Sequence, residues 1–425
     1  VAITGPGGGA WLIDEDGDPV ARAWLPTDRR AAPLVDRWRR VEIARQLREI
    51  TGSAVTSSHL SAQLARMAGR CPALLDHAAT AFQSKDWLYF CCTQERATDP
   101  ASAAAAFGDF RTGAYDARVL ELLRLPEMAR LLPAVVDGTR EHAELTAAAA
   151  AATGLIAGTP VVLGPVDLIA TALAAGLALP PSLGCSILGG GGVHIRAARA
   201  APKLATASGE IGAVMPFAGI WFKVAQGPAR VVAEWLVDLA AQLLADAGLI
   251  GIGRAELVGI LEEKASAAAP ATLRLHPGAP AADHAPAPAG FLGISGATTF
   301  YDLLRSIHEG QGLAARACYG ALGGRLEEVR VTGDGAASLL ARQVLAACVD
   351  APLRVLRREM PAAAGAALIA AVALGHYRDL AAGSRDWVGP HLADPEPVDP
   401  DLQRVYAERL ADAASAARDK LAAGA

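Results

Sequence analysis

The chain has 425 residues, of which 52% are hydrophobic and 20% are charged, and its net charge is −5 at pH 7. A chain of this length and composition buries large cores and favours two or three domains, and its acidic balance excludes the basic surface that nucleic acid or anionic lipid attracts. The six cysteines include no Cys-x-x-Cys pair, so neither a zinc site nor a disulfide framework is indicated, and reduced thiols in a cytoplasm are expected. Glycine and proline interrupt the uncharged runs, so we expect no transmembrane helix and no signal peptide.

The first part of the chain predicts a strand, a turn and then mostly helices. VAIT predicts a strand, GPGGG a turn, and AWLIDEDGDPV a second strand that runs into an Asp-Gly turn. Helical patterns follow up to Thr159, in PLVDRWRRVEIARQLREI, HLSAQLARMAG, PALLDHAATAF, ARVLELLRL and ELTAAAAAATG. PVVLGPVDLIATALAAG then predicts a buried strand, an aspartate and a helix. The connector LALPPSLG predicts a domain boundary near Leu177 to Gly184.

The second part alternates strands and helices. CSILGGGGVHIRAA predicts a hairpin with a glycine tip, and IWFKV a strand, followed by helices in ARVVAEWLVDLAAQLLADAG, RAELVGILEEKASAA and FYDLLRSIHEGQGLAARACYGALG. VRVTGDGAASLLARQ predicts a strand, a glycine turn and a helix with Leu340, Val344 and Cys348 on one face. PLRVLR predicts a strand, and PAAAGAALIAAVALG a helix with Pro361 near its first turn and Gly375 past its end. This alternation indicates the α/β class.

Two glycine-rich segments are candidates for close approach of a ligand. Gly333 to Ser338 lies before a helix, where open backbone and free N–H groups favour an anion or the edge of a nucleotide, although a tight turn that only packs is the commoner explanation. Gly189 to Gly192 is either an anion nest for a phosphate or a flexible turn, and the turn is favoured when the segment is considered alone.

Asp167 lies where the strand PVVLG gives way to the helix LIATALAAG. A carboxylate at this position is usually a helix N-cap, but it can also be a general base at the carboxyl end of a strand, where open α/β sheets bind their ligands. Position alone leaves both alternatives open. The histidines, His194 among them, have no paired spacing for a metal, and the absence of a G-x-S-x-G elbow leaves a hydrolase without support.

The order of the motifs is more specific than any one of them. The succession TGPGGGAWLIDEDGDPVARAW, TDRRA, SKDWLYF, ERATDP, FGDFRTGAYD, AGTPVVLGPVDLIATALAAG, CSILGGGGVHI, YDLLRSIHEG, VTGDGAASLLARQ and AGAALIAAVALGHY resembles the FGGY carbohydrate kinases, and within them the erythritol kinases. The resemblance covers nearly the whole chain. It implies an α/β, actin-like ATPase fold of two ribonuclease-H-like domains, a sugar-binding domain at 1–178 and a nucleotide-binding domain at 179–425, with a cleft between them for sugar and ATP.

The resemblance also implies an activity and roles for individual residues. It implies transfer of the γ-phosphate of ATP to a hydroxyl of a polyol or keto sugar in the cytoplasm, with ATP and Mg²⁺ as cofactors, no nucleic-acid or membrane partner, and a possible homodimer. Asp167 matches the general base that accepts the proton of the attacking hydroxyl. Gly8, Trp11, Ser58 and Asp167 match the sugar site. The nucleotide site is matched by Gly189, Gly190, Gly333, Gly335, Ala336 and Ser338.

The chain departs from the family pattern at several polar positions. It has no match to the Asp-x-Gly-Thr hairpin with which the family begins, so we expect that the first phosphate-binding hairpin is missing from this sequence. Pro6 and Gly8 stand where sugar-contacting Gln and Asp or His are usual, Gly190 and Gly191 replace hydroxyl residues, and the segment Gly-Glu-Arg-x-Pro expected near Pro277 is missing. Two alternatives follow: a kinase with an incomplete or impaired site, or a catalytically inactive relative that binds sugar or nucleotide as a regulator or scaffold.

Overall fold

The structure is a computed structural model that describes residues 1–189, 192–204, 212–227, 231–249, 251–270, 273–276 and 290–410. Its internal contacts divide the chain into two compact units. Unit 1 comprises Val1–Pro181, Ile195–Val224 and Arg358–His391, and unit 2 comprises Ser182–His194, Ala225–Arg357 and Leu392–Ala425. The sequence predicted two domains that are each continuous, 1–178 and 179–425, and these boundaries remain a prediction.

From Val1 to Pro181 the chain combines short strands with helices. The strands are β1 (Ala2–Gly5), β2 (Trp11–Ile13), β3 (Thr80–Phe82), β4 (Ala97–Thr98), β5 (Gly108–Asp109), β6 (Ala114–Tyr115), β7 (Ala134–Val135), β8 (Ala143–Glu144) and β9 (Pro160–Val166). The helices are α1 (Ala32–Arg40), α2 (Ile43–Thr51), α3 (Leu60–Ala68), α4 (Pro72–His77), α5 (Ser84–Thr93), α6 (Pro100–Phe107), α7 (Ala117–Leu123), α8 (Ala147–Thr153) and α9 (Asp167–Ala174). A 3₁₀ helix spans Pro126–Leu131.

The remaining described residues form longer helices and further strands. The strands are β10 (Leu183–Leu188), β11 (Gly192–Ala198), β12 (Ala213–Phe217), β13 (Ile220–Gln226), β14 (Arg274–His276), β15 (Gly290–Leu292), β16 (Glu328–Thr332) and β17 (Leu353–Val355). The helices are α10 (Val231–Asp246), α11 (Arg254–Ala267), α12 (Phe300–Leu322), α13 (Leu339–Val349), α14 (Pro361–Ala373) and α15 (Leu380–Val388). Shorter 3₁₀ helices span Asp334–Ala337 and Gly389–His391.

In unit 1, β1 and β9 are parallel neighbours in one sheet, and β8 pairs antiparallel with β9. The register pairs Ala2 with Val162 and Gly5 with Val166, so both strands end at the same edge. Burial of Ile3 and Leu163 in one apolar cluster explains why these short apolar segments form strands. The strands predicted from VAIT and PVVLG are therefore confirmed.

Helix α14 packs against α9 on this sheet. The contact depends on Gly365, because a Cβ at that position would lie 1.8 Å from the carbonyl oxygen of Ala170. As predicted, Pro361 begins α14, and Gly375, with φ of +77°, follows its end.

Two helices predicted in unit 1 are shorter in the structure than the sequence indicated. PALLDHAATAF is helical only to His77, because Thr80–Phe82 instead form β3 and pair antiparallel with β2. All three residues of β3 are buried, so pairing and packing outweigh the helical pattern. The predicted helix PLVDRWRRVEIARQLREI is interrupted before Ile43, where Glu42 adopts φ of +64° and separates α1 from α2.

In unit 2, β10 pairs parallel with β16, which pairs parallel with β17. The face predicted for α13 is confirmed, because Leu340, Val344 and Cys348 are buried in one core with residues of α12. In the glycine tip between β10 and β11, Gly190 and Gly191 lie outside the described residues. The segment near Pro277, where a family motif is missing, also lies outside them.

Among the helices that the structure describes, none combines the length and the hydropathy needed to cross a membrane.

Candidate active site

The first glycine turn and Asp167 lie at the same edge of the unit 1 sheet. β1 and β9 end side by side, with Gly5 paired to Val166, and Asp167 is the next residue after β9. The turn that follows β1 passes close to this point, because a Cβ on Gly7 would lie 3.0 Å from Cγ1 of Val166. The carboxyl ends of these two parallel strands therefore bring together the two sequence segments that were predicted to contact a sugar.

Asp167 is the first residue of α9, and Val166 occupies the N-cap position. Its half-buried carboxylate accepts a hydrogen bond at Oδ1 from the N–H of Leu168, at 2.8 Å. A helix N-cap would instead accept from the second or third N–H of the helix, so the N-cap explanation does not describe this side chain. Burial raises the pKa of Asp167, and the hydrogen bond from Leu168 opposes this effect. A carboxylate with a raised pKa is a better proton acceptor.

Gly8 and Ser58 meet in the turn. Gly8 adopts φ of +83°, and a Cβ there would lie 2.5 Å from the carbonyl oxygen of Ser58. That same carbonyl accepts the N–H of Gly9 at 2.7 Å, and Ser58 Oγ hydrogen bonds with Thr56 Oγ1 at 2.7 Å. The side chain that the family pattern expects at position 8 has no room in this backbone arrangement.

Trp11 lies on β2 and covers the same turn. A Cβ on Gly9 would lie 2.4 Å from Cζ3 of the Trp11 ring, so the indole contacts the glycine backbone directly. The structure thus brings Gly8, Trp11 and Ser58 to one turn, and Asp167 follows the residue against which that turn packs.

Sequence reasoning gave no role to Gln83, although it holds the turn from the other side. The N–H of Gly8 donates to Gln83 Oε1 at 2.6 Å, and Gln83 Nε2 donates to the carbonyl of Ser102 at 3.4 Å. Gln83 also caps α5, where its N–H donates to Asp86 Oδ2 at 3.4 Å. The only sequence signal was its position immediately before the motif SKDWLYF.

A buried ion cluster lies directly behind Gln83. Lys85 Nζ is 2.5 Å from Asp86 Oδ1 and 2.6 Å from Asp99 Oδ2, and all three side chains are at most 1% exposed. Desolvation opposes the charge of Lys85, but the two carboxylates outweigh it and hold the Lys85 pKa above its usual value. Asp99 also accepts from the N–H of Ala101 and thereby caps α6. The cluster anchors two helix starts beside the glycine turn.

In unit 2 the second glycine turn packs against the end of β10. Gly333 follows β16 with φ of +89°, and a Cβ there would lie 2.9 Å from the carbonyl oxygen of Leu188. Gly189 comes directly after Leu188, so the turn and the start of the glycine tip are neighbours. Gly190, the other candidate in the tip, lies outside the part of the chain that the structure describes.

A pocket opens beside these glycines and encloses about 490 Å³, the part open to solvent included. Gly189 and Gly335 line it, and much of the remaining wall is apolar and belongs to Leu188, Ala315 and Leu345.

Ala336 and Ser338 support this turn from outside the pocket wall. Ala336 is buried, and its carbonyl accepts from Arg342 Nη1 at 2.6 Å. Ser338 caps α13 by accepting from the N–H of Ala341 at 3.0 Å, and its hydroxyl donates to Glu262 Oε2.

The pocket also contains polar side chains that sequence reasoning did not assign to a site. They are His194, His308 and Gln311. His194 Nδ1 hydrogen bonds with Ser186 Oγ at 2.9 Å, and that hydroxyl hydrogen bonds with the hydroxyl of Tyr319 at 2.8 Å. Burial lowers the pKa of His194 to about 4, so this imidazole is neutral at physiological pH.

Solved structures define the class of protein. The xylulose kinase from Rhodospirillum rubrum superposes with a TM-score of 0.84 at 25% identity, over 99% of this chain and 84% of that chain. A gluconate kinase from Lactobacillus acidophilus has the same coverage, a TM-score of 0.83 and 18% identity. The fold is therefore the actin-like ATPase fold of sugar kinases, built from two α/β domains.

Sequence comparison identifies the family within this class. Residues 1–174 match the N-terminal domain, and residues 223–374 the C-terminal domain, of the FGGY family of carbohydrate kinases. The erythritol kinase of Brucella abortus is 40% identical over 418 residues, which are 96% of this chain and 80% of that protein. The L-xylulose/3-keto-L-gulonate kinase of Escherichia coli is 31% identical over 178 residues, 42% of this chain and 36% of that protein.

The chain belongs to the FGGY family of carbohydrate kinases, and the resemblance inferred from the motif order is confirmed. These enzymes transfer phosphate from ATP to a sugar or polyol.

Proposed function

We propose that this kinase phosphorylates a short-chain polyol, with erythritol as the first candidate. The position of Asp167 beside the first glycine turn is the observation that carries the proposal, because it provides a proton acceptor next to backbone that a small acceptor molecule can approach. The 40% identity to an erythritol kinase over 80% of that enzyme supports a four-carbon polyol.

Asp167 accepts the proton of the attacking hydroxyl. The hydroxyl oxygen then forms a bond to the γ-phosphorus of ATP, the bond from that phosphorus to the oxygen bridging the β-phosphate breaks, and ADP leaves. The raised pKa of Asp167 favours this proton transfer, and the N–H of Leu168 holds Oδ1 in a fixed orientation.

The remaining residues of the turn bind the acceptor. Ser58 offers a half-buried hydroxyl, and the Trp11 ring beside Gly9 offers an apolar face for the carbon chain. The backbone of Gly8 lets the acceptor approach closely, since no side chain covers it. Pro6 and Gly8 contribute no polar side chains, so the proposed site selects its substrate with few direct hydrogen bonds.

ATP binds in the pocket of unit 2, with Gly189 and Gly335 next to it. Its apolar walls suit a nucleoside, and a Cβ on Gly189 would meet none of the described residues within 4 Å. Gly333, Ala336 and Ser338 support this arrangement by holding the turn. Gly190 remains a predicted contact.

We expect the phosphates of the nucleotide to provide most of the ligands of Mg²⁺. Within the described ranges no group of three or more His, Cys, Asp or Glu side chains is arranged around a metal, and Mg²⁺ at kinase sites typically uses one or two carboxylates together with substrate phosphates. When bound, Mg²⁺ neutralises charge on the phosphates.

The use of ATP is consistent with the expected cytoplasmic location. The homodimer stays a prediction, and size-exclusion chromatography with light scattering tests it.

A coupled ADP-release assay tests the proposed function. The protein is incubated with ATP, Mg²⁺ and, one at a time, erythritol, other tetritols, pentitols and ketopentoses, and Asp167→Asn serves as the inactive control. We expect turnover with erythritol at a higher kcat/KM than with any pentitol or ketopentose. A preference for a ketopentose would overturn the polyol assignment. No ADP release with any acceptor would overturn the proposed activity.

A further inference from the structure

Two residues of α12 that line the pocket of unit 2 each have a buried polar atom with no partner among the described residues. His308 is 2% exposed, and its Nδ1 has no hydrogen-bond partner among the described residues. The Nε2 atom of Gln311 is also buried and has no partner within the same part of the chain. The two residues are three positions apart, which places them on the same face of the helix, and both line the pocket. Buried polar atoms in native proteins normally have partners, so this pair indicates a ligand.

The imidazole of His308 is held in one orientation. Its Nε2 hydrogen bonds with Glu262 Oε1 at 2.9 Å, and the hydroxyl of Ser338 donates to the other oxygen of the same carboxylate. A carboxylate only accepts, so Nε2 carries the hydrogen, and in the tautomer that this bond selects Nδ1 is an acceptor. Nε2 of Gln311 is an amide donor. The pocket wall therefore offers one acceptor and one donor next to each other.

The surroundings of this pair favour a base and disfavour a phosphate. Among the described residues that line the pocket there is neither lysine nor arginine, and apolar residues such as Ala315 and Leu345 form the walls beside the pair. An acceptor nitrogen repels a phosphate oxygen, whereas a flat heteroaromatic ring fits between apolar walls and pairs with both atoms along its edge.

We propose that His308 and Gln311 read the base of the nucleotide and select adenine. The amino group of adenine donates to His308 Nδ1, and an adjacent ring nitrogen of the base accepts from Gln311 Nε2. A 6-oxo purine presents the opposite order of donor and acceptor along this edge, so it binds less tightly in the same pose. This inference rests on the proposed binding of ATP in the pocket of unit 2, and it adds the residues that determine base specificity.

The test measures nucleotide affinity by titration calorimetry, with ATP and inosine triphosphate as the two probes. His308→Phe keeps a ring of similar size but removes the acceptor, and Gln311→Met keeps the length of the side chain but removes the donor. Gln46→Met makes the same chemical change at an exposed position of unit 1 and is the matched control. Thermal unfolding of each variant shows whether it is folded.

We expect the wild-type protein to bind ATP at least about tenfold more tightly than inosine triphosphate, since a lost buried hydrogen bond costs about one such factor. Each α12 variant loses about tenfold in ATP affinity and has a reduced ratio of the two affinities, whereas Gln46→Met keeps both. His308→Asn, which retains an oxygen near the position of Nδ1, restores part of the ratio.

Other outcomes separate this inference from the function on which it rests. Wild-type protein that binds neither nucleotide overturns ATP binding in the pocket, and this inference with it. Wild-type protein that binds ATP, with folded variants that keep the same ratio of affinities, overturns the base-reading role alone. Folded variants that lose affinity for both nucleotides equally also overturn it, because the pair would then hold the nucleotide without discriminating its base.

Discussion

Gly8 donates its backbone N–H to Oε1 of Gln83 across 2.6 Å, and this bond joins residues 75 positions apart in the sequence. Gln83 is also the capping residue of α5, so the turn after β1 is fastened to a helix start. Next to Gln83, Lys85 ties α5 to Asp99, the capping residue of α6. The position of the glycine turn, and of whatever binds against it, therefore depends on elements well beyond the turn itself.

The first prediction concerns Gln83 as a positioning residue. Gln83→Leu leaves the N–H of Gly8 without its acceptor, so we expect KM for the polyol to rise about tenfold while kcat changes by less than threefold. The free energy of unfolding falls by about 1–2 kcal/mol, because the N–H of Gly8 and the carbonyl of Ser102 both lose their bond to this side chain. Gln83→Glu keeps an acceptor oxygen and is expected to restore most of the KM. Equal KM values for Gln83→Leu and the wild type would remove Gln83 from the acceptor site.

The second prediction concerns Asp167 as the general base. Asp167→Asn cannot accept a proton, so kcat falls by about 10²–10⁴-fold while the affinities for polyol and ATP remain near those of the wild type. In the wild type, kcat/KM falls as the pH drops through the pKa of Asp167. Since burial raises this pKa, the acidic limb lies above the value of 3.8 of an ordinary aspartate. An acidic limb that persists unchanged in Asp167→Asn would belong to another group.

The third prediction concerns the stability cost of Asp167. Its pKa is higher in the folded than in the unfolded protein, so the folded state binds more protons between the two values and stability falls as the pH rises through this window. At neutral pH the ionised carboxylate therefore destabilises the fold. We expect Asp167→Asn to unfold at a higher denaturant concentration than the wild type at pH 7, and the difference to shrink below pH 4. A variant less stable than the wild type at pH 7 would contradict this account.

The fourth prediction concerns the buried ion cluster. Lys85→Met leaves Asp86 and Asp99 buried without their cation, so we expect the free energy of unfolding at pH 7 to fall by about 3–5 kcal/mol in denaturant titrations. Arg140→Met removes a well-exposed cation paired with Asp137, and it is the control with an expected loss below about 1 kcal/mol. Similar losses of unfolding free energy in the two variants would show that burial of the cluster does not increase the cost of removing its cation.

The sequence predicted the parts of the fold that depend on local pattern. The strands at β1, β9 and β16 and the buried face of α13 follow from short apolar runs and from helical spacing. β3 was missed, because AATAF has a helical pattern and becomes a strand only through its pairing with β2. The break at Glu42 was also missed, since a positive φ at a glutamate has no signal in the sequence, unlike one at a glycine.

The candidate sites were predictable where one segment contains the signal. Asp167 follows a buried strand, and Gly333 lies in a strand–helix turn, so both were found from local spacing. Gln83 and His308 were not, because their importance comes from contacts with Gly8 and Glu262, which are distant in sequence. Long-range pairing of polar side chains has no short sequence pattern.

The last prediction concerns Gly333 and the pocket of unit 2. Gly333 and Gly375 both have positive φ, +89° and +77°, so alanine is strained at each, and the ψ of +169° at Gly333 lies in a region that is essentially restricted to glycine. At Gly333 the added Cβ also approaches the carbonyl oxygen of Leu188 to 2.9 Å, whereas at Gly375 it meets nothing within 4 Å. The clash pushes the turn away from Gly189, so we expect Gly333→Ala to weaken ATP binding at least tenfold in calorimetry. Gly375→Ala loses about 1 kcal/mol of stability and keeps its ATP affinity. Equal ATP affinities in two folded variants would separate the second glycine turn from the nucleotide site.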